Sequence, residues 1–164
     1  MHTTTSIWNE ADYTAIAAGT RESGEALVRH AGVERGMQVL DLGCGDGTTA
    51  LPAARLGARV LGVDLSAAMV AAGNQRAAEA GLAADCRLLP GDACDLRGVE
   101  SRYFDRVISM FGVMYAARPA DVAREMVRVT RPSGRIVLAN WIPRDRTLVA
   151  RLAEICAAYA PPGA

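Results

Sequence analysis

The sequence predicts an α/β fold in which a doubly wound, mostly parallel sheet carries helices on both faces. Short apolar segments alternate along the chain with amphipathic or alanine-rich segments, which is the order of strand and crossover helix that a parallel sheet requires. The first apolar segment ends in an acid that a glycine-rich turn follows directly, VLDLGCGDG at 39–47. At 164 residues the chain is long enough for one domain with a sizeable core.

The individual elements follow from the apolar pattern and from the breakers between them. Ser66 is a good N-cap for the second of the predicted helices, and Gly81 closes that helix. Residues 131–134 are predicted to form a turn before the last strand. The expected strands lie at 38–42, 59–63, 86–89, 104–110 and 135–140, and the expected helices at 48–56, 67–80, 119–129 and 146–159.

The glycine-rich turn indicates a ligand that comes close to the backbone. Glycine allows a positive φ and leaves room that a side chain would fill, and the following helix directs free N–H groups into the same crevice. A dinucleotide-binding turn reads G-x-G-x-x-G, and its third glycine would fall on Thr48. Asp41, two residues before Gly43, suits a ligand with positive charge better than a pyrophosphate. A turn that binds nothing is the alternative.

Polar residues stand at the ends of four predicted strands. They are Asp41, Asp64, Asp92 and Ser109. Ligands of such sheets bind beyond the carboxyl ends of the strands, so we expect the three carboxylates to line one crevice. For any one of them, a solvated loop aspartate that caps a helix is the alternative reading.

The composition excludes several classes of function. The 18 basic residues balance 18 acidic ones, and the basic residues are all arginines scattered along the chain, so no nucleic-acid or anionic-membrane partner is indicated. The four cysteines form no C-x-x-C pair and have no histidine at ligand spacing, so no metal site is predicted. No segment has the ~20 apolar residues of a membrane span. Without a signal-peptide pattern at the start, the expected location is the cytoplasm.

From residue 39 to about 141 the chain resembles the class I S-adenosylmethionine-dependent methyltransferases, in particular the branch that includes ubiquinone and menaquinone biosynthesis methyltransferases. The resemblance implies a Rossmann-like sheet with strand order 3-2-1-4-5, S-adenosylmethionine as the cofactor and S-adenosylhomocysteine as its product. Five segments carry it in family order and spacing: VLDLGCGDGT at 39–48, VLGVDLSAAMV at 60–70, GDA at 91–93, FDRVISMFGVMY at 104–115 and EMVRVTRPSGRIVLANW at 125–141.

The resemblance also implies which residues bind the methionine and ribose parts of the cofactor. Asp41 and the backbone of Gly43, Cys44 and Gly45 would contact the methionine moiety, whose ammonium explains an acid before the glycines. Asp64 would accept hydrogen bonds from both ribose hydroxyls.

A second group of residues is implied for the adenine and the methyl group. Leu65 and Met69 would pack on the adenine, with ordinary helix-face packing as the alternative for both. Asp92 would bind the adenine amino group, and the Ala93 N–H would bond a ring nitrogen. Ser109 would face the cofactor.

Residues 8–13 (Trp8, Asn9, Asp12 and Tyr13 among them) resemble the family's N-terminal lid. Tyr13 would close over the sulfonium, because an aromatic face attracts a cation; helix packing is the alternative. Phe111 would border the acceptor pocket. Tyr115, Asp12 and Tyr13 are the best placed polar candidates there, and no catalytic residue is assigned.

The expected organisation is a single domain in three parts: an N-terminal helical lid segment at 1–36, a cofactor-binding core at 37–142, and a C-terminal helix and tail at 143–164. The family's C-terminal antiparallel hairpin would be missing, so the last strand would be an uncovered edge. Either the sequence is a fragment of a longer chain, or a partner covers that edge, and a second copy in a homodimer is the candidate partner.

The expected function is transfer of a methyl group, by in-line displacement, to a small-molecule acceptor. Whether the acceptor atom is oxygen, nitrogen or carbon stays open. Two alternatives are a truncated or non-catalytic module that only binds the cofactor, and a nicotinamide-dependent oxidoreductase. The latter is disfavoured by Thr48 and Asp41.

Overall fold

The computed structural model describes residues 17–142 and contains a five-stranded sheet in which neighbouring strands are parallel. The order is β3-β2-β1-β4-β5, so the winding direction reverses between β1 and β4. The predicted strand order is confirmed, and a crevice beyond the carboxyl ends of β1 and β4 is where such a sheet binds ligands. The strands are β1 (Gln38–Leu42), β2 (Arg59–Asp64), β3 (Cys86–Pro90), β4 (Phe104–Met110) and β5 (Thr130–Ala139).

Helices cover both faces of the sheet, as the sequence predicts. In one apolar layer, side chains of α1, α2 and α3 pack with Val39 and Val60. In the other layer, α4 packs with Leu40 and Leu42. The central strand β1 is therefore buried on both faces, as in other parallel sheets. The helices are α1 (Arg21–Ala31), α2 (Ala50–Arg55), α3 (Ala67–Glu79) and α4 (Pro119–Val129), with a 3-10 helix at Val113–Tyr115.

The predicted ends of α3 are confirmed. The Ser66 hydroxyl accepts a hydrogen bond from the Met69 backbone N–H at 3.3 Å, so Ser66 is the N-cap. Gly81, with a φ of +72°, stands just beyond the helix. The Asn74 side chain bonds both the N–H (3.0 Å) and the C=O (2.9 Å) of Leu88, which anchors α3 on the edge strand β3.

One helix and one turn were predicted wrongly. The helix expected at 48–56 begins only at Ala50 and ends at Arg55, because the turn continues through Gly47, whose φ of +85° is not helical. The turn expected at 131–134 lies inside β5, which begins at Thr130 directly after α4 and ends at Ala139.

The residues of that expected turn form a bulge in β5. Phe104 pairs with Thr130, whereas Arg106 pairs with Arg135, so three extra residues are accommodated on the β5 side. Ser133 takes a φ of +66° there.

Several expectations concern parts of the chain outside the described residues. These are the lid segment with Tyr13, the helix at 146–159 and the missing hairpin, so these expectations and the three-part division stay predictions. Within residues 17–142, no helix is long and apolar enough to cross a membrane.

Candidate functional site

The glycine-rich turn is hydrogen-bonded to the end of β2. Gly43, Gly45 and Gly47 have φ values of +67°, +52° and +85°, which only glycine adopts readily. The N–H groups of Gly43 and Cys44 both donate to the carbonyl of Val63, at 2.8 and 3.2 Å. These two N–H groups are therefore already bonded, and the predicted ligand contacts of Gly43 and Cys44 would have to use other backbone atoms.

Asp64, at the end of β2, carries a carboxylate held by two backbone donors. Its Oδ2 accepts from the Gly45 N–H and its Oδ1 from the Ser66 N–H, both at 2.8 Å. Each carboxylate oxygen has a second lone pair. The side chain is half-buried, so it is fixed in orientation yet still open to a ligand with two hydroxyl groups.

Met69 lies over the same turn. A Cβ placed on Gly45 would come within 3.3 Å of the terminal methyl of Met69, so the structure brings Gly45, Asp64 and Met69 together. Leu65 stands beside Asp64 in the chain and is 38% exposed, an unusual exposure for a leucine at the end of a buried strand. Both apolar residues predicted for the adenine are thus at this end of β2.

Asp92 follows β3 and is joined to the start of α4. Its Oδ1 accepts from the Cys94 N–H at 2.8 Å, and its Oδ2 lies 3.5 Å from the Arg118 guanidinium. The preceding Gly91 donates its N–H to the backbone carbonyl of Asp64 at 2.8 Å. Asp92 therefore lies next to Asp64, the residue predicted to bind the ribose. Ala93 packs on the second apolar layer.

Ser109 links β4 to β1. Its hydroxyl donates to the carbonyl of Leu42 at 2.6 Å and accepts from the N–H of Val113 at 3.2 Å. The hydroxyl therefore holds the 3-10 helix against the end of β1, and the expectation that Ser109 faces the cofactor stays a prediction.

Asp41 is fully buried beneath the turn. Its Oδ2 accepts a hydrogen bond from the Thr49 hydroxyl, and its Oδ1 has no hydrogen-bond partner among the described residues. Burial, together with a smaller effect of the Asp64 charge, raises the pKa of Asp41 from 3.8 to about 7, against the lowering by the hydrogen bonds of Thr49 and the Ala50 backbone. A buried carboxylate with a free oxygen is stabilised by a cationic ligand.

The cysteine of the turn is not an activated nucleophile. Burial raises the pKa of the Cys44 thiol well above its usual value, and burial also raises the pKa of Cys86 to about 12. Both thiols are thus protonated at neutral pH and chemically inert. Among residues 17–142 no cluster of three or more His, Cys, Asp or Glu side chains could hold a metal ion.

The loop after β4 presents aromatic side chains at the same end of the sheet. Phe111 has a φ of +61°, a strained conformation for a bulky residue. Its ring stacks on Trp141, with centroids 4.0 Å apart and planes 7° from parallel. Tyr115 is 48% exposed on the 3-10 helix, whereas Asp12 and Tyr13 lie outside the described residues.

Four residues that make contacts at the candidate site were not predicted from the sequence. Thr49 bonds Asp41 and Arg118 pairs with Asp92, and neither has a signature in the pattern. Gly112 packs against Gly43, and a glycine just after each of two neighbouring strands could have indicated that contact. Asp46, inside the turn, is only 1% exposed and is paired with arginines from two helices.

Comparison with known proteins decides the family. The methyltransferase domain family matches residues 40–138, which include the glycine-rich turn and the ends of β2, β3 and β4. The chain belongs to the methyltransferase domain family. The resemblance to S-adenosylmethionine-dependent methyltransferases is confirmed, and S-adenosylmethionine is the cofactor that the family and its solved members support.

Named relatives cover most of this methyltransferase domain. An uncharacterized protein of Mycobacterium tuberculosis is 38% identical over 138 residues, 84% of this chain and 49% of that protein. A demethylmenaquinone methyltransferase of Paenarthrobacter aurescens is 34% identical over 74% of this chain and 46% of its own length. A geranyl diphosphate methyltransferase solved with S-adenosylmethionine gives a TM-score of 0.69 at 31% identity, covering 85% of this chain and 57% of that one. The chain spans about half the length of the curated relatives it matches.

The residues of the methyltransferase domain fit this cofactor. Asp64 has lone pairs to spare for a ribose diol, and the free Oδ1 of Asp41 suits an ammonium group. The neighbour of Gly45 on its Cβ side is the terminal methyl of Met69, the flexible end of a side chain that can shift for a ligand.

Proposed function

We propose that the chain is the cofactor-binding part of an enzyme that moves a methyl group from S-adenosylmethionine to a small molecule by in-line displacement. The observation that carries the proposal is the carboxylate of Asp64, which two backbone N–H groups hold at the crevice with one lone pair free on each oxygen. An acid at this position also occurs in nicotinamide enzymes. The family match and Thr48, where those enzymes have their third glycine, favour the methyl transferase.

The cofactor, when bound, supplies an electrophilic methyl group on a sulfonium. The residues of the chain then have to bind the cofactor and the acceptor, align them and exclude water, and such alignment can supply a large part of an enzyme's acceleration. Asp64 orients the ribose, the turn at Gly45 sets the position of the methionine part, and Asp41 balances its ammonium. Leu65 and Met69 hold the adenine beside Asp92 and Ala93.

The methyl acceptor binds, in this proposal, on the side of the crevice that the loop after β4 forms. The stacked rings of Phe111 and Trp141, with exposed Met114 and Tyr115 nearby in the chain, support an acceptor with an apolar portion. The two methyltransferases named above likewise carry small-molecule names. Asp12, Tyr13 and Tyr115 remain the candidates for a polar contact to the acceptor.

We also propose that a second copy covers β5 in a homodimer. Within the part of the chain that the structure describes, β5 pairs only with β4, and it exposes Ile136 and Leu138. An exposed apolar edge strand is a template for pairing. Light scattering should give twice the chain mass, and Leu138→Glu should give a monomer, whereas Val127→Glu on exposed α4 should not change the mass. A monomeric wild type would refute the dimer.

A cytoplasmic location stays a prediction.

Calorimetric titration with S-adenosylhomocysteine and with NADH tests the cofactor. We expect binding of the first and none of the second, and binding of NADH alone would overturn the proposal. Transfer of a radiolabelled methyl group to candidate small molecules then tests the reaction. Tight S-adenosylhomocysteine binding without labelling of any acceptor would favour a module that only binds the cofactor.

A further inference from the structure

We propose that Asp46 is a positioning residue, which with Arg21 and Arg76 holds the glycine-rich turn in the conformation that binds the cofactor. This inference rests on the proposed function, since it assigns a role toward the same site. Asp46 does not contact the cofactor in this proposal. It acts through Gly45, whose N–H orients the carboxylate of Asp64.

The side chain of Asp46 is anchored in three directions. Its Oδ2 lies 2.7 Å from the Arg76 guanidinium of α3 and 3.3 Å from the Arg21 guanidinium of α1. Its Oδ1 accepts a hydrogen bond from the Thr48 hydroxyl at 3.1 Å. Arg76 also donates to the backbone carbonyl of Asp46 at 2.6 Å. Both the side chain and the peptide of this one residue are therefore tied to the helices behind the turn.

The turn needs such an anchor because Asp46 stands between two glycines. Gly45 and Gly47 both have a positive φ, and glycine samples far more backbone conformations than any other residue. Without the bonds of Asp46, the segment between β1 and α2 would have many alternative shapes. A site that must be ordered on binding loses affinity, whereas a site ordered beforehand does not.

The charges of the ion cluster formed by Asp46, Arg21 and Arg76 indicate that the cluster fixes the geometry of the turn rather than adding stability. Asp46 is 1% exposed, and two guanidiniums face its single carboxylate. The Arg21 Nε is buried and has no hydrogen-bond acceptor within residues 17–142. Replacement of a whole buried ion cluster by apolar residues is often neutral or stabilising, and in some proteins such a cluster imposes one arrangement on the elements it joins. Here the joined elements are α1, α3 and the turn.

The test uses Asp46→Asn, which keeps the shape and the Thr48 contact but removes the charge. We expect S-adenosylhomocysteine to bind about tenfold more weakly in calorimetry, because the loosened turn must be ordered when the ligand binds. Arg21→Met provides a milder variant, because the Arg21 side chain is 43% exposed and its loss is less harmful to folding. It should weaken binding about threefold, and Arg21→Lys should restore part of the loss.

Arg106→Met is the matched control. The Arg106 guanidinium donates to the carbonyls of Ala31 and Gly32, at the opposite end of α1 from Arg21. The control should lower the midpoint of thermal unfolding and leave the dissociation constant for S-adenosylhomocysteine unchanged. If Asp46→Asn and Arg21→Met behave like the control, with unchanged affinity, the cluster only stabilises the fold and the inference is wrong.

A second measurement does not depend on the cofactor. Hydrogen exchange of the free protein should be faster at the amides of residues 45–48 in Asp46→Asn than in Arg106→Met. If the wild type does not bind S-adenosylhomocysteine, the proposed function fails, and this exchange difference still shows whether Asp46 orders the turn. Equal exchange in the two variants would overturn the inference even if the proposed function holds.

Discussion

Gly43 and Gly112 are in backbone contact across the carboxyl ends of β1 and β4. A Cβ on Gly43 would lie 2.5 Å from the Cα of Gly112, and a Cβ on Gly112 would lie 2.6 Å from the Cα of Gly43. No side chain fits between the two loops, so the glycine-rich turn and the loop that leads to Phe111 form one wall of the crevice. The close approach fixes how far the predicted methionine site lies from the acceptor side.

Gly112→Ala should lower the free energy of unfolding by about 1–3 kcal/mol, the usual cost of overpacking. Gly112 has a φ of −72°, which alanine adopts easily, so the loss comes from the close contacts of the added Cβ with Gly43 and with the carbonyl oxygen of Leu42, 3.0 Å away. Gly81→Ala is the control for backbone strain without a clash, because Gly81 has a φ of +72° and open space around its Cα. Urea unfolding measures the loss of stability in both variants, and calorimetry should show S-adenosylhomocysteine affinity reduced only in Gly112→Ala. Wild-type stability in Gly112→Ala would contradict the contact.

Asp64→Ala should weaken S-adenosylhomocysteine binding at least about tenfold, because hydrogen bonds to a charged acceptor contribute about 1.5–3 kcal/mol each. The same change releases the N–H of Gly45 and of Ser66. Asp85→Ala, an exposed aspartate before β3, should leave the affinity unchanged. Calorimetric titration of both variants with S-adenosylhomocysteine measures the two affinities. Equal affinities would remove Asp64 from the site.

Asp41 should make stability depend on pH. Because burial raises the pKa of Asp41 to about 7, the folded chain binds a proton that the unfolded chain, with a pKa of 3.8, has released. The contribution of this group is therefore lost as the pH rises from about 4 to about 7. Asp41→Asn stays neutral, so urea unfolding should show the free energy of unfolding of this variant rising relative to the wild type between about pH 4 and about pH 7. A difference that is constant with pH would contradict this prediction.

Proton release on cofactor binding follows from the same group. A cationic ammonium near Asp41 favours the carboxylate, so S-adenosylhomocysteine binding near pH 7 should release protons. Calorimetry in two buffers with different ionisation enthalpies measures the number released. Asp41→Asn should abolish the buffer dependence, and an unchanged dependence in this variant would place the proton elsewhere.

Arg128→Ala should loosen the loop between β3 and β4. The Arg128 guanidinium donates to the carbonyls of Val99 (2.9 Å) and Leu96 (3.0 Å) and also pairs with Glu125. We expect a loss of about 1–3 kcal/mol in the free energy of unfolding, together with faster hydrogen exchange at residues 94–101. Arg124→Ala, on the same helix, breaks only an exposed pair with Asp121 and should change the free energy by less than about 1 kcal/mol. Similar effects of the two variants would contradict the assigned role.

The strands and the helices of this chain could be predicted because their signals are local. β1, β4 and α4 have the predicted ends, since apolar runs, breakers and an N-terminal proline mark them within a few residues. The bulge at 131–134 could not be predicted in the same way. Whether such residues break a strand or bulge within it depends on pairing with Phe104 and Arg106, which come from another part of the chain.

The candidate site shows the same division. Asp64 and Met69 could be located because each stands at a fixed offset from a strand end and an N-cap. The internal bonds of Ser109 and the ion pair of Asp92 with Arg118 could not, because they join residues from different strands and loops. The sequence pattern indicates which residues reach the crevice, and the packing decides what else they bind.

The sequence by itself determined the fold class and, through its resemblance, the strand order, and it predicted the glycine-rich turn as a ligand site. These depend on periodicity and on residues that are close in the chain. Only the tertiary structure decided that Gly43 needs Gly112 opposite it and that Asp46 is held by Arg21 and Arg76. Such contacts join residues 25 to 69 positions apart, and only the packed chain brings their atoms within bonding distance.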